Sequence, residues 1–166
     1  MKTLYLTIMV ALFLYFCTTG IQAQTTQTKL NQVELFKQWI GTWKSENAKD
    51  TTAFWDAKSY GTGLDVNLKV VTKGKIVVEG KQLLGYDKSI DKYIQAEMVK
   101  GMDIEIVAVW FISKNKYVSI PYSEISSPEK ASIKWEGVFK SPDMIVETTI
   151  ANNKPVKTYT YTRIKQ

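Results

Sequence analysis

The stretch Ile40-Gly41-Thr42-Trp43-Lys44 decides the fold of this chain. Before it, Leu30, Val33, Phe36, Trp39 and Ile40 recur at three- and four-residue spacing, the period of a short helix lying on a core. Asn31 is placed to cap that helix, and Gly41 to end it. After Gly41 the period changes to two. Thr42, Lys44 and Glu46 alternate with Trp43, Ser45 and Asn47, which turns Trp43 inward at the start of a first strand.

Alternation continues to the end of the chain, broken about every ten residues by turn chemistry. Trp55 and Ala57 oppose Asp56 and Lys58, and Leu64, Val66, Leu68 and Val70 oppose Asp65, Asn67 and Lys69. Between them Gly61-Thr62-Gly63 makes a turn; it lacks the later glycine and the helix of a dinucleotide-binding loop. Ile76, Val78, Leu84 and Tyr86 share a face, and Gly80 in mid-strand predicts a bulge or a barrel corner. Further strands are expected over 92–100, 104–112, 117–124, around Trp135, over 144–150 and over 156–164. The segment from Ile104 to Ile112 is apolar on both faces apart from Glu105, so it needs a cover outside as well as inside, from the helix or a second subunit. About ten hairpin-linked strands with one buried face predict an all-β, antiparallel up-and-down barrel with a short N-terminal helix. A sandwich is the alternative.

Residues 1–23 have the order of a secretory signal peptide: Lys2, an apolar run from Leu4 to Phe16, and a polar, small-residue stretch ending at Ala23. The run of 13 residues is short of the roughly 20 that span a bilayer. Cleavage after Ala23 is expected, leaving a single barrel domain over 24–166 in a secreted or periplasmic protein with no membrane span. That removes Lys2 and the only cysteine, Cys17, and leaves 143 residues without cysteine or histidine. Disulfides, thiolate nucleophiles, Ser-His-Asp triads and Cys/His metal sites are excluded from such a domain. Its 21 Lys and Arg against 16 Asp and Glu give a net charge of +5. All those cations but Arg163 are lysines scattered along the chain, which suits a solvated surface and blunted strand edges better than a nucleic-acid footprint. No cofactor, metal or nucleic-acid partner is expected.

Gly41-Thr42-Trp43 after a short helix resembles the G-x-W signature of lipocalins and the related fatty-acid-binding proteins, and Arg163 lies on the last strand, where those families also place an arginine. Leu84-Gly85-Tyr86-Asp87 with Lys92-Tyr93 is similar to bacterial lipocalin-like domains of unknown function. The resemblance implies a barrel whose closed end is sealed by Arg163 stacked on Trp43. Haem-binding barrels of this kind hold iron with a histidine, which this chain lacks.

Within a barrel, the ring-bearing side chains Trp55, Tyr86, Trp110, Tyr122, Trp135 and Tyr161 are expected to face inward and to suit a small hydrophobic or amphipathic ligand. The same rings would otherwise simply fill the interior. Alternation also turns Ile76, Ile120 and Val146 inward. Arg163 has two roles open to it, stacking on Trp43 beside Gly41 or receiving a ligand carboxylate. Tyr93, Gln95 and Glu97 alternate with Ile94, Ala96 and Met98, and either face can point inward; the ordinary expectation is that the polar face meets water. Turned inward, Glu97 would be the candidate acid or base. Three classes follow: a ligand-binding barrel first, with enzymatic activity the less favoured alternative, through Glu97 and a tyrosine. The third is an interaction module with a plugged interior and an outer contact through Val107, Val109 and Phe111.

Overall fold

A computed structural model describes residues 29–165; the expected signal peptide lies outside the described residues. Helix α1 (Gln32–Phe36) is capped by Asn31, whose side chain accepts from the Glu34 amide at 3.2 Å, and continues as a 3-10 turn, Lys37–Trp39. Ten antiparallel strands follow: β1 (Gly41–Ala48), β2 (Thr51–Tyr60), β3 (Gly63–Thr72), β4 (Lys75–Asp87), β5 (Lys92–Val99), β6 (Glu105–Ser113), β7 (Lys116–Pro121), β8 (Ile133–Ser141), β9 (Met144–Ala151) and β10 (Lys154–Arg163). Each pairs with its sequence neighbours, and β10 returns to pair with β1, so the sheet closes into a barrel. Among the described residues no helix is long and apolar enough to cross a membrane.

Closure occurs at Trp43, which lies opposite Trp55 on one side and Arg163 on the other. Arg163 Cζ lies 4.1 Å from the Trp43 ring centroid. Its guanidinium donates to the carbonyls of Gln38 (2.9 Å), Ile40 and Pro142 (3.0 Å), while Trp43 Nε1 donates to the Trp39 carbonyl at 2.8 Å. One arginine on the last strand thus ties the helical segment, the first strand and the β8–β9 turn into a single base. Gly41 is required there: its φ is +128°, and a Cβ would stand 2.5 Å from the guanidinium.

Helix α1 caps the same end from inside. Phe36 stacks on Tyr93 with centroids 3.8 Å apart and meets Phe111 edge-on at 5.3 Å. Gln32 accepts from the Phe111 amide at 2.8 Å and donates to the Phe111 carbonyl at 3.0 Å, satisfying the backbone at the end of β6.

Three local features differ from the sequence expectation, each for a reason of register. First, the hairpin β6–β7 is turned over. Val107, Val109 and Phe111 are buried inside the barrel, whereas Trp110 and Ile120 pack outside with Ala108, Ile125 and Ala131. A strand apolar on both faces carries no alternation to choose its inner face, and a one-residue slip exchanges the two. On the outer face Ala108, Trp110 and Ile120 are covered not by α1 but by the loop 122–132, held by Glu124, which accepts from the Ser132 amide and hydroxyl at 2.6 and 2.7 Å. Tyr122 begins a 3-10 turn in that loop, because the strand ends at Pro121, which has no N–H to continue the ladder.

Second, bulges move side chains across the sheet. Thr72 lies opposite Lys75 and Val71 opposite Ile76, but Val70 is opposite Val78. The extra residue, Val77, sends Ile76 to the outside, where it is 59% exposed. Gly80, where the bulge was expected, pairs regularly with Leu68. Likewise the turn Asn152–Asn153 sets Pro155 opposite Ile150, and a bulge before Lys157 then sets Tyr159 opposite Glu147. Without it Tyr159 would face Val146; with it Glu147 turns inward and Val146 outward.

Third, Tyr93 and Gln95 are buried, so the polar face of β5 is the inner one.

Candidate functional site

Above the base the barrel is hollow. A cavity of about 380 Å³ lies between Trp39 at its floor and the strand ends opposite the helix, within the roughly 300–1,000 Å³ of small-molecule sites. Its apolar wall includes Trp55, Leu68, Val107, Trp135 and Ile145. Its polar wall runs across neighbouring strands in one register: Gln82 on β4 lies opposite Glu97 on β5, and Glu97 opposite Glu105 on β6. On the far side Glu147 lies between Gly137 and Tyr159.

A relay of hydrogen bonds fixes Glu97. Trp55 Nε1 donates to Gln82 Oε1 at 2.7 Å, Gln82 Nε2 donates to Glu97 Oε2 at 2.5 Å, and Gln95 Nε2 donates to the same oxygen at 3.3 Å. Both amide donors reach Oε2, which leaves the second lone-pair-bearing oxygen, Oε1, for another donor.

Glu147 is held by Tyr117, whose hydroxyl donates to Oε2 at 2.7 Å. The Tyr117 ring lies against Gly137, where a Cβ would come 2.0 Å from Cζ. Only glycine lets the ring lie flat on β8 and reach β9. Burial raises the Glu147 carboxyl above its ordinary 4.5; the Tyr117 hydrogen bond opposes that rise and the Glu97 charge adds to it. Glu105, exposed at the mouth, is raised by partial desolvation and then by Glu97. Burial, followed by the Glu147 charge, holds Tyr117 and Tyr161 well above the usual phenol range.

Of the ring-bearing residues expected at a site, Trp55, Trp135 and Tyr161 line the cavity. Trp110 is on the outer face, with Lys92 Nζ 4.7 Å from its ring centroid, and Tyr122 is 41% exposed in the loop. Tyr86 packs against Tyr93 near the base and donates to Asp91 at 2.6 Å. None of these three borders the cavity. Glu97 does, against the expectation that its face meets water. Val107, Val109 and Phe111 are 5%, 1% and 1% exposed, so they offer no surface to a second subunit. An interior that keeps a cavity also removes the plugged barrel on which the interaction-module alternative rested.

Gln82, Glu105, Tyr117 and Glu147 emerge only from the structure, and Gln95 comes inward on the face it shares with Glu97. A signal for Tyr117 was present in Gly137, a glycine in mid-strand that marks close approach by another group. Among the described residues, no group of three or more His, Cys, Asp or Glu is placed to hold a metal ion. No family model matches the chain, and no curated protein is similar to it in sequence.

Proposed function

We propose that this chain is an exported, lipocalin-like carrier that binds a small amphipathic molecule inside its barrel. The observation that supports this most directly is the cavity of about 380 Å³, sealed at one end by the Trp43–Arg163 base and walled by both rings and hydrogen-bonding groups. A barrel needed only for stability would gain by filling that space, since lost packing costs about 24 cal/mol per Å³ of residual cavity. Export is supported by the signal-peptide order of residues 1–23, and the absence of cysteine beyond Cys17 makes the domain independent of the redox state of its compartment.

Titration with Nile red, a neutral dye that brightens in apolar surroundings, tests the carrier reading. Saturable binding at one site per chain, weakened by Trp135→Ala, is expected; no saturable binding refutes it. N-terminal sequencing of protein recovered from the periplasm or medium should begin at Gln24.

A further inference from the structure

Three glutamates on three strands share one ring-walled cavity. Glu97 and Glu105 are direct cross-strand partners, an arrangement of like charges that is unfavourable by itself. Glu147 stands on the other wall. The remaining titratable groups on the cavity side are the phenols Tyr117, Tyr159 and Tyr161. Lys69 borders the cavity with its Nζ 5.2 Å from the Phe54 ring centroid, and Lys157, two residues before Tyr159 on β10, holds its Nζ 4.6 Å from the Tyr159 ring centroid. Arg163 is committed to the base by the carbonyls of Gln38, Ile40 and Pro142. Among the described residues, no lysine or arginine forms an ion pair with Glu97, Glu105 or Glu147.

The surrounding rings point the same way. Trp55, Trp135 and Tyr161 border the same space, and aromatic rings attract a cation, most strongly where water is excluded; the Tyr159 ring beside them already carries the Lys157 ammonium. At the floor, Trp39 is 4% exposed and its indole N–H has no acceptor. A buried donor left unpaired is costly, and Trp39 is the one cavity-lining residue among the described residues in that condition.

Resting on the carrier reading, we propose that the ligand is an organic ammonium ion with an apolar body and a hydrogen-bond acceptor at its far end. The ammonium lies between Glu97 and Glu147, donating to the oxygen of Glu97 that the glutamines leave open. The body packs on Trp55 and Trp135, and the acceptor meets the Trp39 N–H. A cation there relieves the Glu97–Glu105 repulsion and supplies the positive charge that the protein withholds.

Calorimetric titration of the protein at neutral pH with phenylbutylamine, phenylbutanol and phenylbutyrate, which share one body and differ in head group, tests this. The amine is expected to bind at least tenfold tighter than the alcohol, and the carboxylate weakest. Glu97→Gln and Glu147→Gln should each reduce the preference for amine over alcohol severalfold. The ranking on the unmodified protein needs no variant, so a variant that fails to fold does not decide the matter. An alcohol bound as tightly as the amine overturns the ammonium assignment, as does Nile red binding with none of the three compounds bound; in either case the carrier reading stands. Failure of all three compounds and of Nile red overturns the carrier reading. A methoxy group at the far end of the ring should strengthen amine binding to the unmodified protein but not to Trp39→Phe. No gain from it in the unmodified protein overturns the acceptor at the floor.

Discussion

Arg163→Ala removes the clamp that joins the two ends of the chain. The cation stack on Trp43 at 4.1 Å contributes about 0.5–2 kcal/mol. The guanidinium also serves carbonyls from three segments, Gln38, Ile40 and Pro142, and a hydrogen bond to a charged group is worth about 1.5–3 kcal/mol. The Pro142 side of the residue is exposed and its side chain keeps 23% of its surface, so those bonds are discounted. The ion pair with Asp143 at 3.3 Å, on a carboxylate 48% exposed, adds little. The expected cost is therefore about 3–4 kcal/mol. For a domain of this size each kcal/mol lowers Tm by about 3–4 °C, which makes roughly 10–15 °C. Thermal unfolding followed by circular dichroism measures it. Arg163→Lys, which keeps the charge but not the planar fork, should recover less than half of the loss. Because Arg163 does not line the cavity, Nile red affinity measured well below Tm should not change. A Tm within about 2 °C of the unmodified protein, or a loss of affinity without loss of stability, would refute the assignment of Arg163 to the base.

Further outcomes follow from the same geometry. Gly137→Ala sets a Cβ 2.0 Å from the Tyr117 ring, so it should cost about 1–3 kcal/mol by overpacking and also weaken ligand binding, as denaturant melts and Nile red titration would show. Trp110→Ala should destabilise by about 3 kcal/mol through the outer cluster without changing ligand affinity, whereas Trp135→Ala should reduce affinity with the smaller loss of stability. Equal effects of the two would contradict the inside-outside assignment of β6. Glu147 has a raised carboxyl, so the folded state holds its proton more tightly than the unfolded chain. The stabilisation that this gives is present below the ordinary 4.5 and is lost as pH rises through the raised value. Glu147→Gln should therefore raise Tm in mildly alkaline buffer and leave it unchanged in acid. Burial pushes the Tyr93 phenol up to about 12, so its contribution to stability is intact below 10.0 and lost as pH rises through about 12. Alkaline titration of phenolate absorbance should show Tyr93, Tyr117 and Tyr161 ionising well above the ordinary phenol value of 10.0.

What the sequence by itself determined was everything that depends on period and on local chemistry. The switch from a helical to a two-residue period at Gly41, the spacing of turn residues, and a tryptophan and an arginine at the two ends of the meander were enough for an antiparallel barrel opened by a helix. Those signals are local or concern the chain ends, and each strand with one apolar face announces that face. The tertiary structure decided what alternation leaves undetermined. In β6, apolar on both sides, only the fold of the loop 122–132 over Trp110 and Ile120 selected Val107, Val109 and Phe111 for the interior. On β4 and β10 a single extra residue shifts the register, putting Ile76 outside and setting Tyr159 opposite Glu147 at the cavity. On β5 the polar face turned inward because Tyr93 stacks on Phe36 of the helix and Glu97 finds Gln82 on the neighbouring strand. Buried polar groups satisfy one another across strands that are distant in sequence, and a period-two pattern contains no record of those partners. The acidic wall therefore appears only once the barrel has closed.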